Sequence, residues 1–315
     1  MNILITSIGS LSAKFVIEQC KKVGAKVYGT DIYERKYLIN VNLLEKFYKV
    51  PKVKETEKFK KEIENIIQDN SITHIFPLTD LDVDFFANTN INLANKKIKI
   101  LVSDKSVVNL VRNKLEISRM FKENTIINCI PTFTINEYAK ECNVYPAIAK
   151  IKNGRSSEHI LHIIEEKQLD CILNKDYIIQ PKIVGDIITV DIIYDGCKLS
   201  CVQRKEVFRT SNGAGTTVEI IINNNINKYI FEFFKQINYI GLLNIEFIVN
   251  NEKVYLMDIN PRFSAGVAFS YIAGYNFVAN AIKFLEGHEI ESLTSVKEGL
   301  ILTKVHNELI VCKNI

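Results

Sequence analysis

Residues 241–266 read GLLNIEFIVNNEKVYLMDINPRFSAG. Two apolar runs, 243–249 and 254–259, flank the turn residues 250–253, a pattern that predicts a β-hairpin. Because side chains alternate between the faces of a strand, the loop length sets which of them meet. A two-residue loop at 251–252 pairs Glu246 with Met257 and sends Asp258 to the opposite face. A three-residue loop at 251–253 instead places Glu246 opposite Asp258 and Asn244 opposite Asn260. Three-residue loops are common, and cross-strand partners hold their Cβ atoms about 4.5–5.5 Å apart. Two carboxylates and an amide oxygen then converge. Such hard oxygen ligands suit Mg²⁺, which takes one or two carboxylates and completes its shell from substrate phosphates. The alternative is a solvated polar ladder. Asp258 and Asn260 lie inside an otherwise apolar strand that ends in Pro261 and Arg262, which favours the metal site and puts Arg262 beside it.

Upstream, residues 2–6 (NILIT), 26–30 (KVYGT), 74–77 (HIFP) and 98–102 (IKILV) have strand character, and helical spacing occupies 12–23 and 58–68. This alternation predicts a doubly wound parallel sheet over residues 1–105. Residues 106–122 form one charged amphipathic helix bearing Arg112, Lys114 and Arg119. Strands follow at 147–151, 177–180, 187–194 and 199–202, then a helix near 227–237, the hairpin, a helix at 275–285 and a last strand at 299–306. Hairpins here replace crossovers, so the sheets are mostly antiparallel. The expected class is α/β in three lobes, 1–105, 106–183 and 184–315. Lys150 ends an apolar strand and is followed by the polar loop KNGRSS, whose free backbone N–H groups suit a phosphate. Residues 177–191 (YIIQPKIVGDIITVD) place a Pro–Lys kink between two strands, exposing backbone donors and acceptors suited to an adenine edge.

At 315 residues, with 47% hydrophobic and 24% charged, the chain has ordinary globular composition. Its apolar runs are strand-sized, short of the roughly 18–20 residues of a membrane span, and the opening residues carry no basic leader, so a cytoplasmic protein is expected. The formal charge of +4 is spread along the chain, which argues against nucleic acid and is compatible with a phosphorylated small molecule. Seven cysteines without a CxxC pair are expected to be reduced core thiols. The loop after the first strand, SIGSLSAK, has one glycine where a dinucleotide fold has GxGxxG, so nicotinamide binding loses its main support. P-loop, HExxH and GxSxG motifs are absent. His159 and His162 are assigned no role.

The ordered set Lys114, Lys150, a short Gly/Ser loop, IIQPKIVGDIITVD, NIEF and DINPR resembles the ATP-grasp ligases, especially their carbamoyl-phosphate-synthase-like and amino-acid-ligase branch, across essentially the whole chain. DINPRFSAG is similar to the EINPRFGGG segment of that family and is the strongest signal. HIFPLTD at 74–80 looks like the domain that precedes the grasp unit. The resemblance implies a Rossmann-like first domain and a two-lobed ATP-grasp unit. It implies that Lys114 and Lys150 hold ATP phosphates, that the loop around Gly154 and Ser157 closes over them, and that Gln180 with the backbone of Lys182 and Ile183 contacts adenine. Glu246, Asp258 and Asn260 would hold Mg²⁺ or Mn²⁺, and Arg262 would stabilise charge on the activated substrate, aided by Arg204, Lys205 or Arg209. The chain departs from the family at Gln180, commonly glutamate, and at Ile187, where a glutamate grips the ribose; Asp186 or Asp191 is the substitute. The implied reaction joins a small-molecule carboxylate to an amine at the cost of ATP, with a homodimer compatible. The alternatives are bicarbonate or carbamate activation, and a degenerate nucleotide-binding protein.

Overall fold

The computed structural model describes residues 1–91, 98–154, 159–172, 175–251, 253–305 and 308. The first hundred residues run β1 (Asn2–Thr6), α1 (Ala13–Lys22), β2 (Lys26–Asp31), β3 (Lys46–Lys49), α2 (Thr56–Asp69), β4 (His74–Pro77), α3 (Asp80–Asn88) and β5 (Lys99–Ile100). All the pairings are parallel, in the order β3-β2-β1-β4-β5. Alternation along β1 sends Ile3 and Ile5 into a core with Val16 and Ile17 of α1, and Leu4 into one with Phe59 and Ile63 of α2 and Phe85 of α3. The sheet is therefore covered on both faces, as a parallel sheet must be. Strand order reverses between β1 and β4, so the loops after these strands open side by side at the place where such sheets present ligands. The acid at the end of β2, Asp31, is buried and spent internally: Oδ2 accepts from Gly9 N at 2.8 Å and Oδ1 from Tyr33 N at 3.2 Å.

The single helix expected at 106–122 is two, α4 (Lys105–Arg112) and α5 (Lys114–Met120). Asn113 leaves the helical region (φ −97°, ψ 97°), and its side-chain oxygen accepts from Leu115 N and Glu116 N. An Asn cap competes with helix continuation at the cost of one interior hydrogen bond. Next come β6 (Asn128–Cys129), β7 (Phe133–Thr134), α6 (Ile135–Glu141), β8 (Ala147–Ile151), β9 (Leu161–Ile163) and β10 (Tyr177–Pro181). The last strands form an antiparallel sheet, β7-β10-β8-β9, closed by Tyr138 of α6.

The remaining elements are β11 (Asp186–Tyr194), β12 (Leu199–Arg209), β13 (Gly215–Ile221), α7 (Asn224–Gln236), β14 (Gly241–Asn250), β15 (Lys253–Asn260), α8 (Val267–Ile272), α9 (Phe277–Glu286) and β16 (Ile301–Thr303). They build a seven-stranded sheet, β16-β13-β12-β11-β14-β15-β6, antiparallel except at β15–β6. β13 and α8 were not anticipated, because Gly213–Gly215 and the small residues after Phe263 mask their periodicity. One apolar core runs from Ile3, Val16 and Phe76 through Phe263, Phe277 and Ala281 to Ile193 and Val202, joining the first sheet to the third. The β1–α1 and β4–α3 loops are thereby held against the end of the hairpin. Among the described residues no helix is long and apolar enough to cross a membrane. Of the cysteines, Cys20 is buried as expected, whereas Cys171 and Cys197 are exposed rather than core thiols.

Candidate active site

The β14–β15 hairpin closes with two residues, not three: Asn250 pairs with Lys253, and the ladder continues to Phe247 with Leu256. Parity alone would then set Glu246 against Met257. A β-bulge intervenes. Met257 is the extra residue, and beyond it Glu246 faces Asp258 and Asn244 faces Asn260. The convergence expected from a three-residue loop is thus reached by a different device, since a bulge inserts one unpaired residue and re-aims the side chains beyond it.

These side chains line a cavity of about 820 Å³ between the first and third sheets and the end of β8. Each carboxylate meets a cation. Lys114 Nζ is 2.9 Å from Asp258 Oδ1, and Arg209 Nη2 is 2.7 Å from Glu246 Oε2. The break at Asn113 makes the first pair, because it turns Lys114 inward, where Nζ also donates to Gly154 O at 3.3 Å. Asn260 Nδ2 donates to Asn244 Oδ1 at 3.2 Å, which leaves Asn260 Oδ1 as the oxygen to offer. Burial raises the Glu246 carboxyl; Arg209 pulls it down again, and the neighbouring Asp258 adds to the rise. Two adjacent acids and an amide oxygen fit a divalent cation that shares its shell with phosphate. Among the described residues, no three His, Cys, Asp or Glu side chains gather into a fuller cage.

Lys150, on β8, lines the cavity, and burial together with the charge of Lys114 pulls its pKa down to about 8. Arg262 reaches across to the first sheet: Nη2 lies 3.0 Å from Asp80 Oδ2, while Arg112 Nη1 lies 3.3 Å from Asp80 Oδ1. Burial works against the Arg262 charge, yet Asp80, with Glu246 and Asp258 behind it, raises its pKa. An apolar recess adjoins the cavity through Lys114, Met257 and Asp258, walled by Val111, Ile117, Ile130 and Leu256 and floored by Gln180, whose Nε2 donates to Thr132 Oγ1 at 2.7 Å.

Several expected residues are placed otherwise. Arg204 lines the cavity but is 1% exposed and committed to Asp191, with Nη2 donating to Ser264 Oγ at 3.0 Å and Nη1 to Ser270 Oγ. Asp191 is therefore not a spare acid for a ribose. Register puts Lys205 on the other face of β12, where it pairs with Asp186 at 2.7 Å, so neither faces the cavity. Arg209 would also point away by simple alternation from Lys205; the register shifts around Phe208 bring it back. Lys182 N is taken by Pro146 O at 3.0 Å, and neither Lys182 nor Ile183 lines the cavity or the recess. Ser157 lies outside the described residues. What the sequence did not single out is Glu206, the Gly9–Ser12 loop and the Asp80–Arg112 pair; the PLTD run that ends at Asp80 was the available signal.

Three sheets arranged in this way, with two lysines and a carboxylate hairpin around one cleft, make the ATP-grasp fold, which the chain shares with the solved structures it resembles. More particularly, residues 174–308 match the family described as ATP-grasp in the biosynthetic pathway with Ter operon. The chain is 25% identical over 238 residues to the carbamoyl phosphate synthase large chain of Clostridium acetobutylicum, covering 67% of this chain but only 22% of that one. Among solved structures it resembles biotin carboxylase from Campylobacter jejuni in complex with β-γ-ATP, with a TM-score of 0.76 at 18% identity over 94% of this chain and 73% of that one. It also resembles an L-amino acid ligase from Bacillus licheniformis, with a TM-score of 0.70 at 15% identity over 90% and 74%.

Proposed function

We propose that the protein is an ATP-dependent carboxylate–amine ligase that forms an amide through an acyl phosphate. The observation that carries this reading is the convergence of Glu246, Asp258 and Asn260 with Lys114 and Lys150 on one cavity beside an apolar recess. In it adenine enters at the recess floored by Gln180, which must widen from its present volume of about 20 Å³ to take the base, and the two lysines hold the phosphates under the loop around Gly154. Mg²⁺ or Mn²⁺ held by Glu246, Asp258 and Asn260 supplies neutralisation of the phosphate charge. The substrate carboxylate attacks the γ-phosphorus and ADP departs; Lys150 balances charge spread over the transferring group. Arg262, anchored by Asp80, stabilises the oxyanion when an amine attacks the acyl carbon and phosphate leaves. Arg209 is placed to assist once it parts from Glu246. Arg204, tied to Asp191, positions the cavity floor instead of contacting substrate.

The likeness to an L-amino acid ligase is in keeping with amide formation. The synthase relative keeps bicarbonate activation as the second reading. Both are tested by supplying the protein with ATP and Mg²⁺ and measuring ADP. Release that requires a carboxylic acid and an amine together supports the ligase. Release stimulated by bicarbonate alone moves the assignment to the second reading.

A further inference from the structure

Nine charged side chains line the cavity: Asp80, Lys114, Lys150, Arg204, Glu206, Arg209, Glu246, Asp258 and Arg262. Seven of them are engaged in ion pairs, Lys114 with Asp258, Arg209 with Glu246, Arg262 with Asp80, and Arg204 with Asp191 below the floor. Among the described residues, the two left without an ion pair are one cation, Lys150, and one anion, Glu206. Lys150 has its partner in the proposed phosphates. Glu206 has none in the ligase scheme, and its Oε2 is buried without a hydrogen bond. A buried carboxylate oxygen without a donor is costly enough that a ligand group satisfying it gains correspondingly.

From Glu206 outward the chemistry narrows. It stands on β12 two residues beyond Arg204, on the cavity face, two strands away from Glu246 and two residues out of its row, roughly 12 Å at the usual strand spacing and rise. The carboxylate is seated against Gly215, where a side-chain carbon would come within 1.6 Å of Glu206 Oε2. Lys304, which senses the Glu206 charge, is aimed instead at Ala265 O at 2.8 Å. A lone carboxylate among arginines offers too few oxygens for a divalent ion, but it suits a primary ammonium group, whose remaining N–H donors can reach the carbonyl and hydroxyl groups of the 210–215 loop lining the same wall.

We infer that Glu206 is the site for the ammonium group of the amine substrate. This rests on the ligase reading for its consequence: the nitrogen passes one proton to the Glu206 carboxylate, giving a neutral amine and a carboxylic acid. The C–N bond then forms as the bond from acyl carbon to phosphate oxygen breaks, its electron pair leaves with phosphate, and the second nitrogen proton goes with it as HPO₄²⁻.

The full chain, held with MgADP, is titrated with butylammonium chloride and with 1-butanol, its uncharged counterpart of equal length, by ligand-observed NMR. The ammonium is expected to bind at least tenfold more tightly than the alcohol. Glu206→Gln is expected to weaken it at least tenfold, Glu206→Asp to restore much of the loss, and Gly215→Ala, which displaces the carboxylate, to weaken it in a chain that keeps Glu206. Equal binding of the two probes, or butylammonium binding unchanged in both Glu206→Gln and Gly215→Ala, overturns the inference. Hydroxylamine, uncharged at pH 7, reads the ligase chemistry separately by trapping acyl phosphates from a carboxylic-acid pool as hydroxamates. Hydroxamate formation retained in Glu206→Gln while amine-dependent turnover falls supports the site; equal loss with both acceptors overturns it. Selective ammonium binding without any hydroxamate removes the ligase reading and leaves the cation site standing.

Discussion

Lys150 presents an ammonium to the cavity with a pKa of about 8, so its charge fades just above physiological pH. Metal-free ADP binding should therefore weaken by about tenfold between pH 7 and 9, in keeping with the worth of a hydrogen bond to a charged group. Lys150→Met should bind weakly throughout and lose the pH step, which equilibrium dialysis in EDTA would reveal. Asp258 carries a different expectation, because it serves two partners in turn. Asp258→Asn releases Lys114, so metal-free ADP should bind as well as before or better, while the gain from added Mg²⁺ should shrink by at least tenfold. Titrations with and without Mg²⁺ separate the two effects. Glu246 and Asp258 were legible as a pair from their strand, yet the reason for their pairing was not, since a bulge at Met257 leaves no mark in an alternating apolar run.

At the level of elements, the break between α4 and α5 matters more than its single residue suggests. Asn113 caps α5, and removing such a cap costs about 1 kcal/mol. Asn113→Ala should lower the urea midpoint accordingly, whereas Asn113→Asp should hold it. ADP affinity should fall in the alanine variant as well, because Lys114 is the first residue of the capped helix. The apolar periodicity of 105–120 continues through the break, so helical spacing alone predicts one helix; only the side chain's competition for the N–H groups of Leu115 and Glu116 divides it. Strand faces tell a similar story along β12. Arg204 and Lys205 are adjacent in sequence and land on opposite sides of the sheet, and a cluster that looked uniform in charge is split between a buried tie and a surface pair.

Across the whole molecule, contacts between residues far apart in sequence set behaviours that local patterns do not contain. His74 of the first sheet is buried, with Nε2 2.6 Å from Glu286 at the end of α9, and Glu286 also meets Lys99 at 2.9 Å. Burial, with Lys99 nearby, depresses the His74 pKa despite Glu286. The unfolded chain therefore binds that proton first as pH falls, and stability should drop below about pH 6.5. Denaturation midpoints at pH 7.5 and 5.5 should show the loss, and His74→Gln should flatten it. Asp80 joins the same halves at the cavity, holding both Arg112 and Arg262 while 4% exposed. Asp80→Ala strands the partly buried Arg262 guanidinium and leaves Arg112 with Asp84 alone, at 3.4 Å, and should cost about 3–5 kcal/mol in urea denaturation. The first sheet and the hairpin were both visible as separate patterns; that one carboxylate binds them was not, because nothing in a local window pairs position 80 with position 262. Chimeras inherit this constraint. A grafted N-terminal hundred residues from another protein of this fold must arrive with an acid at the start of its third helix, or the recipient will be left with a charged seam where its two halves should close.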